Sequence, residues 1–118
     1  MVTLPNGQSY VENYRLNPDT GGISIKISTT EDEADVMQFE YTLEQPILWW
    51  DVSLINLALT SLFDQLGFTV TSDDPNCRSV TCQAGNEQCS DAYLFPDDNQ
   101  ATRSCPATTN LLLNLGPA

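Results

Sequence analysis

The stretch Val36-Met37-Gln38-Phe39-Glu40-Tyr41-Thr42-Leu43 puts Met37, Phe39, Tyr41 and Leu43 on one face and Gln38, Glu40 and Thr42 on the other. A period of two is what a half-buried β-strand requires, because successive side chains point to opposite sides of the sheet. Upstream, Gly22-Ile23-Ser24-Ile25-Lys26-Ile27-Ser28 repeats the pattern, with the isoleucines together on one side. Between the two lies the acidic run Thr29 to Asp35 (TTEDEAD). Its spacing is not that of a calcium loop, and it reads as a solvated hairpin tip. Downstream, Pro46 interrupts the chain before Ile47 to Ile55 (ILWWDVSLI), a long β-prone run with Asp51 among apolar neighbours. Trp49 and Trp50 must then point to opposite sides of their strand, one to the core and one towards the surface.

Further along, residues 57–66 (LALTSLFDQL) have Leu59, Leu62, Phe63 and Leu66 at helical spacing, a short helix. Gly67 to Thr71 reads as a strand and Asp73-Asp74-Pro75-Asn76 as a turn. The segment Cys77 to Pro106 is rich in Asp, Asn, Gln, Ser and Pro and reads as an irregular loop region. Leu111 to Leu115 supplies a last strand. The sum is an all-β sandwich with one loop region that needs covalent ties to be ordered.

At 118 residues the chain has room for one domain, taken as 1–118. Sixteen acids face four basic residues (Arg15, Lys26, Arg78 and Arg103), a net charge of −12. Such a surface repels phosphate backbones and anionic lipid, so nucleic acid is not an expected partner, whereas a neutral polysaccharide is compatible. There is no apolar run long enough to span a membrane. There is no glycine-rich phosphate loop either, and no cofactor is expected. Met1 leads directly into the turn-like Thr3-Leu4-Pro5-Asn6-Gly7 rather than into a leader peptide.

The cysteines stand at 77, 82, 89 and 105. Without a C-x2-C pair, and with no histidine in the chain, their spacing argues against zinc and for disulfides, hence for an oxidising, extracellular compartment. Four cysteines allow three pairings, and spacing alone does not choose among them. The absence of histidine also removes Ser–His and Cys–His nucleophile pairs.

Three stretches resemble thaumatin-like proteins, and more closely the short fungal secreted group named for the Blastomyces yeast-phase-specific protein. The first runs from Tyr14-Arg15-Leu16-Asn17-Pro18 through Gly22 to Ser28. The second joins Gln38-Phe39-Glu40-Tyr41-Thr42-Leu43 to Trp50-Asp51-Val52-Ser53-Leu54-Ile55-Asn56. The third is Cys77 to Pro106, ending in Tyr93-Leu94-Phe95-Pro96-Asp97-Asp98 and Arg103-Ser104-Cys105-Pro106. The resemblance implies a thaumatin-like sandwich, a secreted monomer, and the pairs Cys77–Cys105 and Cys82–Cys89. It also implies a chain incomplete at its N-terminus, because the family's N-terminal cysteine has no counterpart and Gly116 stands where its C-terminal partner is expected.

Larger thaumatin-like proteins carry an acidic cleft of one arginine, one glutamate and three aspartates that is proposed to bind β-glucans. Glu40 matches the glutamate and Asp51 the first aspartate. Asn56 stands at the second, and Asp97 or Asp98 at the third. The arginine has no counterpart, and Arg15 is not its equivalent. Tyr93 and Phe95 border the aspartates and offer rings to a sugar. From the residues themselves, Glu40 lies on a polar strand face, while partial burial beside Trp49 and Trp50 is expected to raise the Asp51 pKa. Two unequal carboxyls on neighbouring strands are the raw material of glycoside hydrolysis. The expectation is therefore a secreted, non-catalytic binder of cell-wall polysaccharide or a host surface, using Glu40, Asp51, Asn56, Tyr93, Asp97 and Asp98. The alternatives are a weak β-1,3-glucanase using Glu40 and Asp51, and a degenerate fragment without independent activity. No metal site is expected.

Overall fold

The computed structural model describes residues 3–5, 7–17, 21–30, 32–95 and 97–116. The elements are β1 (Ile23–Ser28), β2 (Val36–Glu44), β3 (Ile47–Ser53), the short helix α1 (Leu62–Leu66), β4 (Phe68–Ser72), β5 (Val80–Cys82), β6 (Arg103–Pro106) and β7 (Leu111–Leu115), with a 3-10 turn at Asn99–Ala101. They form a four-stranded sheet in the order β1-β2-β3-β6 and a three-stranded sheet in the order β5-β4-β7. Every pairing is antiparallel.

Alternation sets which face is buried, and register lines the buried faces up. Ile23, Ile25 and Ile27 pair with Tyr41, Phe39 and Met37, which in turn bring Phe39 opposite Val52 and Tyr41 opposite Trp50. Phe39 and Trp50 stack with ring centroids 5.9 Å apart. Phe68, Val70 and Val80 close the core from the second sheet and are fully buried. Each such side chain contributes about 1.5–3 kcal/mol by leaving water. Pro46, which cannot donate to a ladder, sits in the tight turn where Glu44 pairs with Ile47. Strand β3 ends at Ser53, two residues before the apolar run does, because Leu54 and Asn56 turn away. The Leu54 amide donates to Tyr93 O and the Val36 amide to Asn56 O.

Three expectations need correction. The helix over 57–66 contracts to Leu62–Leu66, because Ser61 Oγ accepts the Phe63 amide and caps the helix there, while the Ala58 amide is taken by Asp35. Gly67 ends it at φ 78°; a Cβ there would lie 2.6 Å from Cys82 O, so the position is closed to other residues. Asp35 is not part of a solvated tip. It is buried, and its carboxylate accepts from Thr29 Oγ1 at 2.9 Å and from the Ala58 amide at 3.0 Å. Finally, the region Cys77 to Pro106 is not all loop. It contains β5 and β6, each too short to show a period. Strand β6 turns Arg103 and Cys105 inward, so its buried face carries a charge where a hydrophobic residue is the usual signal.

That charge is accommodated. The Arg103 guanidinium is almost completely buried, donates from Nη1 to Ala101 O at 3.1 Å, and places Nη2 3.3 Å from Asp91 Oδ1, near enough for an ion pair but off the line of a hydrogen bond. Two disulfides cross-link the segment internally. Cys77–Cys105 fastens the turn after β4 to β6, and Cys82–Cys89 closes β5 onto the loop that follows. These are the pairs that the resemblance implies. The Trp50 indole N–H donates to Cys105 Sγ at 3.2 Å, so the larger bridge is packed into the centre of the core.

Ahead of β1, Tyr14 anchors the N-terminal segment. Its hydroxyl donates to Thr109 O at 2.9 Å, its ring meets Tyr41 edge-on at 5.2 Å, and burial pushes its pKa up to about 12. The Arg15 amide donates to the Tyr41 hydroxyl at 3.1 Å. Among the described residues no helix is long and apolar enough to cross a membrane.

Candidate functional site

The polar face of the four-stranded sheet is where the expected site residues meet. Ser24 pairs with Glu40 and Glu40 with Asp51, so one row crosses three strands. Trp50 pairs with Arg103, which places Thr102 next in line beside Asp51. The row floors an open depression of about 330 Å³ whose walls include Thr42, Trp49 and Gly22. Gly22 matters here because a Cβ would stand 2.8 Å from Thr42 Oγ1 and from Tyr41 O. The two tryptophans divide as strand geometry demands: Trp50 is 1 % exposed and Trp49 is 40 % exposed.

Glu40 and Asp51 define the chemistry. Directly opposed side chains on antiparallel strands have Cβ atoms ~4.5–5.5 Å apart, which brings these two carboxyls within reach of each other. Two carboxyls can share a hydrogen bond only if one is protonated. Asp51 Oδ1 is buried with no donor reaching it. Burial first, then the hydrogen bond to Glu40 and its negative charge, push the Asp51 pKa up to about 8. At neutral pH the two carboxyls therefore retain a proton between them. Among the described residues no lysine or arginine lines the depression.

A chain of side-chain hydrogen bonds extends the polar face. Ser24 Oγ donates to Gln38 Oε1 at 2.8 Å, and Gln38 Nε2 donates to Asn56 Oδ1 at 2.7 Å. Asn56 is thus linked to the row but does not line the depression. On the opposite flank the Tyr93 hydroxyl bonds Thr102 Oγ1 and donates to Asn99 Oδ1 at 3.2 Å, so it braces the site from behind Thr102. Asp97 and Asp98 stand apart from the depression. Asp97 is exposed, and Asp98 accepts from the Leu94 and Phe95 amides at 2.9 and 3.0 Å, contacts that hold its carboxyl below the usual range. Asp98 organises its own loop. Phe95 borders a different depression.

Ser24, Thr42 and Thr102 were not singled out by sequence reasoning. The first two sit on polar strand faces and could have been found by extending the alternation. Thr102 could not, because β6 was not recognisable. Among the described residues no cluster of three or more His, Cys, Asp or Glu side chains is arranged to hold a metal ion.

The sheet order, the two bridges and the acid-lined depression define a thaumatin-like β-sandwich. The crystal structure of the protein elicitor MoHrip2 from Magnaporthe oryzae superposes with a TM-score of 0.74 over 96 % of this chain and 76 % of that one, at 21 % identity, which establishes the fold. The Blastomyces yeast-phase-specific protein family matches residues 1–117, and the chain belongs to that family. It is 48 % identical over its whole length to the secreted thaumatin-like protein calA of Emericella nidulans, and 40 % identical over 94 % of its length to an antigenic thaumatin-like protein of Arthroderma benhamiae. The matches span 68 % and 55 % of those two proteins. The chain is a small extracellular protein, as its disulfides and these relatives agree.

Proposed function

We propose that the polar face of the four-stranded sheet binds a neutral cell-wall polysaccharide of the β-glucan type without cleaving it. The observation that carries this reading is the Glu40–Asp51 carboxyl pair, set in an open depression beside exposed Trp49. A sugar chain presents flat apolar ring faces and a fringe of hydroxyls. Trp49 offers a face for stacking, while Glu40, Asp51, Ser24, Thr42 and Thr102 offer acceptors and donors for hydroxyls. An open trench suits a chain that continues past the site at both ends. With no cation in the depression, an anionic polymer is disfavoured.

The same pair argues against hydrolysis. Glycosidase carboxyls stand ~5–5.5 Å apart when retaining and ~6.5–9.5 Å apart when inverting, to admit a sugar carbon or a water. Glu40 and Asp51 are directly opposed neighbours whose closeness raises the Asp51 pKa, an arrangement suited to sharing a proton rather than to dividing the roles of acid and nucleophile.

Affinity electrophoresis through a gel containing a soluble β-1,3-glucan tests the proposal. Retardation of the wild type, reduced in Trp49→Ala, with no release of reducing sugar, supports it. Unretarded migration of the wild type, or sugar release abolished by Glu40→Gln, counts against it.

A further inference from the structure

A second depression, of about 260 Å³, shares no residue with the first. Leu57, Leu59, Leu94 and Phe95 wall it, and Asp64 of α1 and Glu87 stand at it. Two of its apolar side chains are open to water: Leu59 is 98 % exposed and Phe95 61 % exposed. Isolated exposed leucines are ordinary, but here an exposed Leu and an exposed Phe border one concavity. The acids lack internal compensation. Ion pairs among the described residues join Arg15 to Glu12 and Arg103 to Asp91, so among those residues no cation is paired with Asp64 or Glu87. Burial, then the charges of Glu87 and Asp35, hold the Asp64 carboxyl above its usual range, as expected of an acid in an uncompensated negative field.

Charge decides among occupants. A second copy, itself carrying a net charge of −12, would be repelled by this acidic face. A sugar would find one ring, Phe95, among leucine side chains, with acids and Gln88 as the polar side chains at the depression. We propose that this depression docks a cationic, apolar peptide segment of a partner protein. Lysine or arginine side chains of the segment face Asp64 and Glu87, and an aliphatic or aromatic anchor sits between Leu59 and Phe95. Burial of the anchor supplies affinity, while the acids select the sign of the partner and speed encounter.

The test uses fluorescence polarisation with three short labelled peptides of equal length: alternating Lys and Leu, Lys alone, and alternating Glu and Leu. The Lys–Leu peptide is expected to bind the wild type, and to lose about tenfold or more in affinity in Phe95→Ser and again in Asp64→Asn/Glu87→Gln. Phe95 and Glu87 are exposed and Asp64 is half-buried, and an unchanged melting temperature in each variant separates lost docking from lost folding. Equal binding of the Lys-alone peptide, indifferent to Phe95→Ser, would overturn the proposal in favour of diffuse attraction to an acidic surface. Indifference of the Lys–Leu peptide to every variant would overturn it as well. So would a concentration-dependent dimer that Phe95→Ser abolishes, which would make the occupant a second copy.

Discussion

Glu40 on β2 and Asp51 on β3 are directly opposed across the sheet, and Asp51 Oδ1 lies buried without a donor. Like-charged residues in this position destabilise a strand pair unless one gives up its charge. Sharing a proton resolves the conflict, and its consequences are measurable.

The first concerns pH. Asp51 titrates near 4 when unfolded and at about 8 when folded, so between those values the folded state holds the extra proton. Stability falls as pH rises wherever the native state binds more protons, so this pair costs stability progressively from about pH 4 to pH 8. Asp51→Asn keeps the size of the side chain and removes its titration. Melting temperatures across that range should decline in the wild type and flatten in Asp51→Asn, with the variant the more stable at pH 8. A wild-type curve that rises through the same window would contradict the shared proton.

Asp35 has the opposite sign. Burial pushes its carboxyl up, but hydrogen bonds from Ala58, Ser61, Thr29 and Leu62 outweigh this and hold it below its usual range. Its contribution is therefore present above the unfolded pKa and lost as pH falls through the folded one. Asp35→Ala leaves the buried Ala58 amide without its acceptor, at a cost of about 1–3 kcal/mol. Urea denaturation at pH 7 should show the full loss, and at acid pH a smaller one.

The two bridges should differ in worth. In the chain-entropy account, closing the 28-residue separation of Cys77–Cys105 is worth about 3–4 kcal/mol, and the 7-residue separation of Cys82–Cys89 about 2 kcal/mol. Paired Cys→Ala substitutions read by denaturant titration should preserve that order. The larger bridge also takes the Trp50 indole N–H, so its removal should shift that indole resonance.

Gly67→Ala should destabilise sharply, because the new Cβ meets the backbone of Cys82, Gln83 and Ala84 at a positive φ. A thermal scan would show a loss well beyond the ~1 kcal/mol of an ordinary glycine exchange.

What the sequence yielded follows where its pattern is physical. Strands β1 and β2 could be read because their inward residues are apolar without exception, and the opposite fates of Trp49 and Trp50 follow from pleat geometry alone. Strands β5 and β6 could not, because each turns two residues inward and β6 turns in Arg103, whose partner Asp91 is remote in any periodic reading. Within the site, the raised pKa of Asp51 could be argued from its apolar neighbours. Its pairing with Glu40 depends on the register set by the turn at Pro46, which puts Glu44 opposite Ile47. Asp98 looked like a site acid because an aspartate that binds its own loop amides and one that faces a ligand are the same letter in a sequence.

The most direct test of the binding face uses the two tryptophan indole N–H signals during a titration with soluble β-1,3-glucan. Binding over the polar face predicts that the Trp49 signal moves with saturation, that the signal of buried Trp50 moves far less, and that Glu40→Gln weakens the response. A titration that leaves Trp49 unmoved, or that shifts residues around Phe95 instead, would contradict the account.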